Sequence, residues 1–465
     1  MLFVNKVTRT LRCQNDQRPG VFGALATAIG QEQALLGDVR TVAIGRLHIV
    51  RDLTVYVDDE AHLARVVERV RRLPGVELLA VIDDVLEAHE GGKIVVRSRR
   101  PIGRITDLRR VYTPGVAQVC RLLVQDPSKA HAYTTISRTV AIVTDGTAIL
   151  GLGDIGPVAG MPVMEGKAAL FAELVGLNAV PILLDTKDPG EIVRTVRTIA
   201  PTFGGIQLED IAAPACFEIE SRLVEALDMP VLHDDQHGTA VVALAAVIVA
   251  CRHAGLDLKR VRYGHIGLGA AGLATSRLIM RYTGNPVIGT DLREDALARL
   301  REAGGRTGTL ADVLEQADVV VATTGAPGLI KPEWVRKGQV ILALSNPDPE
   351  ITPEAALAAG AAFAADGRAV NNVLGFPGLF KGALDARARR FTVEMLIAAA
   401  EAIAARAEGA ELVPSPLDLE LHHAVAHAVA RAAMDSGVAR EALDEDYFNA
   451  EPPSRATPTS WGVRA

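Results

Sequence analysis

The chain is poor in cysteine and carries no excess of positive charge. Its four thiols, Cys13, Cys120, Cys216 and Cys251, stand far apart in 465 residues and form no CxxC pair. That argues against a disulfide framework and against a thiolate zinc site, and it favours buried thiols in a reducing compartment. The formal net charge of -7 argues against a nucleic-acid binder, which would present a basic face. Long apolar runs are also missing. The longest, Ala240 to Cys251, is too short to span a bilayer and reads as a buried helix, so no membrane partner is expected. The N-terminal stretch MLFVNKVTRTLRC is charged and lacks the apolar centre of a signal peptide. The expected location is the cytoplasm. Neither an internal repeat nor a long low-complexity segment is present.

Two adjacent acid pairs stand out: Glu209-Asp210 in GGIQLEDIAAP and Asp234-Asp235 in PVLHDDQHGTA. Each follows a short apolar run that reads as a buried strand, so each sits at a strand's C-terminal end, where α/β folds bind their ligands. Carboxylates held together repel unless a cation or a shared proton relieves them. Hard cations such as Mg²⁺ and Mn²⁺ favour oxygen ligands. A metal site in an α/β enzyme is therefore expected; two solvated loop ends are the alternative for either pair taken alone.

The length suggests two to four domains. Residues 1–89 read as strand, helix, strand, strand, helix, strand (Val7-Cys13, Gly20-Ile29, Gly37-Gly45, Leu47-Val57, Ala61-Arg72, Val76-Val85). This is the βαββαβ order of a ferredoxin-like sandwich. The loop Asn15 to Gly20 (NDQRPG) places a turn before exposed helix amides, which can hold a carboxylate. The unit resembles an ACT domain, a regulatory module that often binds amino acids and often dimerises. EGGKIVVRSRR, residues 90–100, marks a boundary. An α/β substrate and metal domain is expected over 90–236, with strands at Thr139-Val143, Ala148-Gly151, Ala179-Leu184 and Gly205-Leu208 and helices at Lys167-Val175 and Gly190-Ala200. A second α/β unit with C-terminal helices is expected over 237–450 and a flexible tail over 451–465.

A dinucleotide signature opens that second unit. The strand Val261-Ile266 runs into Gly267-Leu268-Gly269-Ala270-Ala271-Gly272, a helix follows, and the next strand ends in Asp291. The first glycine permits the turn, the second admits the pyrophosphate and the third lets the helix pack closely. Asp291 lies about 20 residues on, where an acid meets a ribose 2′-hydroxyl. Such an acid repels a 2′-phosphate, so NAD is favoured over NADP, with Arg293 weakening the preference. Gly151-Leu152-Gly153-Asp154-Ile155-Gly156 repeats the spacing, but Pro157 and Pro162 follow. No helix is expected there, and the segment reads as a turn near the substrate.

Tyr112 in VYTPGVA and Lys167 in PVMEGKAAL complete a set with the acid pairs that resembles the malic enzyme family. The segments carrying the resemblance are YTPGVA, TDGTAILGLGDIGPVAGMPVMEGKAALF, PILLDT, GGIQLEDIAAPACFEIE, HDDQHGTA, GLGAAG, LSNPDPEITP, NNVLGFPGLFKGALD and VPSP, in order from about residue 99 to 440. The chain looks like a bacterial-type malic enzyme with an ACT domain in front and a Rossmann-type NAD domain behind.

The resemblance implies oxidation and decarboxylation of malate to pyruvate and CO₂ with reduction of NAD, or NADP as the alternative. It implies Mg²⁺ or Mn²⁺ on Glu209, Asp210 and Asp235. Lys167 would be the base, with a pKa lowered by burial and metal. Tyr112 would be the acid that protonates C3. Asp234 would tune Lys167 or join the metal shell. Asn346 and Asn372 would hold substrate carboxylates, with Asn371 as a neighbour in reserve. An amino acid or other small effector at the ACT unit and a homo-oligomer are also implied. One departure is that Thr147-Ala148-Ile149-Leu150 lacks the arginine that animal relatives place before GLGD. Two rivals remain: another ACT-containing hydroxyacid or amino-acid dehydrogenase, and a non-catalytic metabolite sensor.

Overall fold

The computed structural model describes residues 6–451 apart from 150, 369 and 410. The expected tail, beyond its first residue Glu451, lies outside the described residues. The chain divides into two compact units, one up to Val95 and one from Val96 onward.

The first unit contains β1 (Val7–Asp16), β2 (Leu35–Ile44), β3 (His48–Val57) and β4 (Val76–Ile82) in the sheet order β2-β3-β1-β4. Pairing is antiparallel throughout. Strand alternation sends Leu11 and Cys13 of β1 and Leu53, Val55 and Val57 of β3 to one face. That face packs on Leu25 and Ile29 of the helix Val21–Gln31 and on Leu63, Val66 and Val70 of the helix Glu60–Arg71. The three- and four-residue spacing of those leucines and valines is the apolar stripe of a helix lying on a sheet. Asp59 starts the second helix by accepting from His62 N. The last strand is shorter than expected. It stops at Ile82 because Asp83 accepts from the amides of Val85 and Leu86 and opens a short helix, Asp84–His89.

The second unit holds two parallel sheets. One has the order β6-β5-β7-β8, from β5 (Thr139–Thr144), β6 (Asn178–Leu183), β7 (Gly205–Leu208) and β8 (Val231–His233). The other has the order β11-β10-β9-β12-β13-β14, from β9 (Tyr263–Ile266), β10 (Val287–Thr290), β11 (Arg306–Thr307), β12 (Val319–Ala322), β13 (Val340–Ala343) and β14 (Phe363–Asp366). Counted from β9, this is the 3-2-1-4-5-6 order of a dinucleotide-binding sheet, with the reversal of strand order beside β9.

The greasy run Ala240 to Cys251 is buried throughout, in the helix Thr239–Ala254. Together with the turn before it, it makes one 21-residue segment, Asp234–Ala254, long and apolar enough to cross a membrane by length and composition. Its place in the core accounts for that composition. Phe171 meets Phe376 and Phe380 edge to face nearby, tying the helix Pro157–Val175 to the helix Phe376–Asp385.

Two expectations fail here. Of the strand expected over Ala148-Gly151, the described residues Ala148, Ile149 and Gly151 form none; Ile149 makes a single bridge to Gly153. A helix does open on the third glycine of GLGDIG, spanning Pro157–Val175. Pro157 occupies its first position, where the missing N–H has no partner to lose. Pro162 lies one turn further in, and the helix continues past it. The helices Ile105–Val111 and Val116–Gln125, none of whose residues is buried, were not singled out from sequence.

Candidate active site

β7 and β8 are neighbours in one sheet, so the acid pairs that follow them come together at one sheet end. The turn after β8, Asp234–Gly238, is π-helical. Gly238 is required there: a Cβ on it would lie 1.8 Å from Asp234 Oδ1. On the other side, Asp210 adopts φ 53, a left-handed conformation that Asp tolerates better than most residues. Its amide donates to Asp235 Oδ2 at 2.8 Å.

Lys167 is buried and reaches this cluster from its helix. Its Nζ lies 2.8 Å from Glu209 Oε1 and donates to Asp234 Oδ2. It also sits 4.7 Å from the centre of the Phe376 ring. Asn372 donates to the same Asp234 oxygen at 2.6 Å. Glu209 is held from behind by Gln207, whose amide donates to Oε2 at 2.6 Å.

The electrostatics follow from one buried ammonium and four carboxylates, of which Glu209, Asp210 and Asp234 are buried and Asp235 is half-buried. Burial alone would lower the Lys167 pKa, but Asp234, Glu209 and Asp235 outweigh it and raise it. Burial therefore acts in the expected direction, and the acids' field acts against it. Burial raises the Asp234 and Glu209 carboxyls against the pull of Lys167. Burial and then Asp235 push Asp210 up to about 7. The cluster therefore holds more negative charge than its protein partners relieve.

A hard divalent cation fits this deficit. Glu209, Asp210 and Asp235 each present a carboxylate oxygen, all within 4.8 Å of one another. Asp210 Oδ2 is buried with no partner among the described residues. All-oxygen donors of this kind suit Mg²⁺ or Mn²⁺.

The remaining expected residues divide. Tyr112 caps the C-terminus of the helix Ile105–Val111 and is 65% exposed. Among the described residues, no hydrogen bond joins it to Lys167 or to the acids. Asn371 is spent locally, accepting from Val373 N at 3.0 Å. Asn346 is exposed three residues past β13 and donates to Gly367 O at 3.1 Å. Gln207 and Phe376 were not singled out from sequence. Gln207 shares a strand face with Glu209, two residues on, and that period-two spacing was the available signal.

The nucleotide loop has the geometry its glycines suggest. Gly267 has φ 88, and a Cβ there would lie 2.7 Å from Thr323 O. A Cβ on Gly272 would lie 1.9 Å from Gly267 O, whereas one on Gly269 meets nothing within 4 Å. Gly269 thus faces open space at the start of the helix Ala270–Thr283. The amides of Ala270 and Ala271 lie in that first turn, ready for a pyrophosphate. Asp291 is tied back to the loop: Oδ2 accepts from Leu268 N at 2.6 Å and Oδ1 from Arg293 N at 2.9 Å.

Comparison with known proteins agrees with these features. The sequence profile of the malic enzyme N-terminal domain matches residues 93–189 and 186–224. The chain is 58% identical to NAD-dependent malic enzyme 1 of Bacillus subtilis, over 93% of this chain and 99% of that one. It is 43% identical to an NAD-dependent malic enzyme of Geobacillus stearothermophilus, over 93% and 95%. Among solved structures, it is similar to the malic enzyme of Pyrococcus horikoshii, with a TM-score of 0.74 and 41% identity over 78% of this chain and 93% of that one. It is also similar to the NAD-dependent malic enzyme of Thermotoga maritima, with a TM-score of 0.70 and 39% identity over 75% and 99%. With this identity running over nearly all of both chains, and the acid cluster, its lysine and the nucleotide loop in place, the chain belongs to the malic enzyme family.

Proposed function

We propose that this chain oxidises malate to pyruvate and CO₂ with reduction of NAD. The observation that carries this reading is Lys167 lodged between Asp234 and Glu209 beside a three-carboxylate cluster. When bound, a divalent cation on Glu209, Asp210 and Asp235 would act as a Lewis acid toward the substrate oxygens, and NAD at the glycine loop would accept the hydride.

The protein groups divide the proton transfers. Lys167 Nζ takes the C2 hydroxyl proton; it is a base only once the surrounding carboxylates are neutralised, since their field otherwise holds its own proton. Asp234 fixes the ammonium in place and Asn372 fixes Asp234. Tyr112 is assigned protonation of C3. Because Tyr112 is exposed, that role requires its segment to be covered when substrate is bound. Ile105, Leu108, Val111 and Val124 on the same segment are exposed as well. This supports a homo-oligomer in which a second copy covers them.

Residues up to about 89 are read as an ACT-like regulatory unit. Gly20, with φ 89, precedes the helix Val21–Gln31, which supports capture of an amino acid's carboxylate at that turn. The four cysteines are unpaired, Cys120 exposed among them, which supports a reducing, cytoplasmic setting.

The test is the initial rate of NADH formation from malate and NAD with Mn²⁺, before and after EDTA, and with a panel of amino acids. Turnover lost to EDTA and restored by Mn²⁺ is expected. Turnover indifferent to EDTA would favour a metal-free hydroxyacid dehydrogenase. Absence of malate-dependent NADH would favour a metabolite sensor.

A further inference from the structure

Glu220 is buried in the middle of the helix Ala215–Ala226. Its two carboxylate oxygens are both spent on the segment that carries Asp234 and Asp235. Oε1 accepts from His233 N at 2.7 Å. Oε2 accepts from Gln236 Nε2 at 3.0 Å and pairs with His237 Nε2 at 3.1 Å. These contacts fall immediately before and immediately after the two aspartates.

The π-helical turn needs such support. It lacks the regular i→i−4 ladder of an α-helix, and turns of this kind are uncommon outside functional sites. Within it, two adjacent carboxylates must point to different places: Asp234 to Lys167 and Asp235 to the Asp210 amide. Like charges so close would drive the turn open. Glu220 grips both ends of it from a neighbouring helix. Burial alone would raise the Glu220 pKa, but His237 and then His233 hold it below the ordinary carboxylate range. Two of its partners, His233 N and Gln236 Nε2, can only donate to it, which suits a carboxylate acceptor.

We propose that Glu220 is a positioning residue: it sets the turn so that Asp235 faces the cation site and Asp234 faces Lys167. The proposal rests on the malate-oxidising reading above. A plain structural role, gluing one helix to one strand, would also use these bonds but would not be selective for the cation and the lysine.

The experiment uses the full chain. Mn²⁺ affinity is measured by electron paramagnetic resonance, NADH affinity by fluorescence, and kcat and malate KM by initial rates, in wild type, Glu220→Ala and Glu220→Gln. Loss of support behind a metal ligand typically weakens metal binding about 10- to 100-fold. That loss is expected in Glu220→Ala, with a fall in kcat and an unchanged NADH affinity. Glu220→Gln keeps the volume and the acceptor for His233 N but turns an amide toward Gln236 or His237, so an intermediate loss is expected. If Glu220→Ala does not fold, Glu220→Gln and His237→Ala carry the test. Mn²⁺ affinity and kcat equal to wild type in a folded variant would overturn the proposal, as would NADH affinity falling in step with Mn²⁺ affinity. A wild-type protein that binds NADH but neither binds Mn²⁺ nor oxidises malate would overturn the functional reading itself, and this role with it.

Discussion

Asn372 and Asp234, 138 positions apart in sequence, share a hydrogen bond of 2.6 Å through the same carboxylate oxygen that meets Lys167. The bond links the nucleotide-binding half of the second unit to the acid cluster, and it fixes which way the Asp234 carboxylate faces. Asn372→Ala is expected to lower kcat for malate oxidation while NADH affinity stays near wild type. Lys167→Ala is expected to lose about 10²- to 10⁴-fold, the range of a general base. Retention of wild-type kcat by the lysine variant would remove Lys167 from the proton transfer.

Tyr112 can be separated from Lys167 by half-reactions. Tyr112→Phe keeps the ring and removes the proton. Oxaloacetate reduction by NADH, which needs no C3 protonation, is expected to continue. Exchange of pyruvate methyl protons with deuterated water is expected to fall about 10²-fold or more. Equal losses in both assays would show that the hydroxyl does not divide the reaction this way.

Gly238→Ala brings the tightest steric conflict of the site into play. The new methyl would overlap Asp234 Oδ1, and neither a backbone Cβ nor a buried carboxylate can yield cheaply. Displacing a catalytic group by about 1 Å can cost about 10²-fold in rate. A loss of that order in malate turnover is expected, with the protein still folded by circular dichroism. A fully active Gly238→Ala would mean that Asp234's observed place is not the working one.

Asp291, expected at the ribose, is also tied to the glycine loop. Because it binds Leu268 N and Arg293 N, Asp291→Ala is expected to weaken NAD binding as well as to narrow the NAD-over-NADP ratio of kcat/KM. An unchanged ratio would count against the ribose contact. An unchanged NAD affinity would count against the loop contact.

His265 predicts a pH dependence of stability. Burial in β9 lowers its pKa to about 3, against about 6.5 in an unfolded chain. Between those values the unfolded state binds the proton and the folded state does not, so stability rises with pH across that window. The contribution is fully present above about pH 6.5 and is lost as pH falls toward 3. Thermal midpoints of His265→Leu are expected to slope less with pH than those of wild type between pH 4 and 7. Parallel slopes would exclude His265 as a source of acid sensitivity.

Composition and periodicity were enough to separate the two α/β sheets from the N-terminal βαββαβ unit, since strand alternation and helical stripes are local properties. The glycine loop was equally legible: Gly267, Gly269 and Gly272 answer to backbone space within one turn. The two acid pairs could be assigned to strand ends for the same reason. Other features depended on distant residues. The helix after GLGDIG opens on Pro157 because a first-position proline loses nothing, and it continues past Pro162 in its interior. The rise in the Lys167 pKa comes from Asp234, Glu209 and Asp235 arriving from two other strands. Glu220's grip on the catalytic turn, the Asn372 bond to Asp234 and the exposure of Tyr112 are likewise tertiary facts. Sequence by itself determined which chemical groups this protein has and which strand or loop carries each. The tertiary structure decided which of them face one another, because fields and hydrogen bonds act over a few ångströms in space, whatever the distance along the chain.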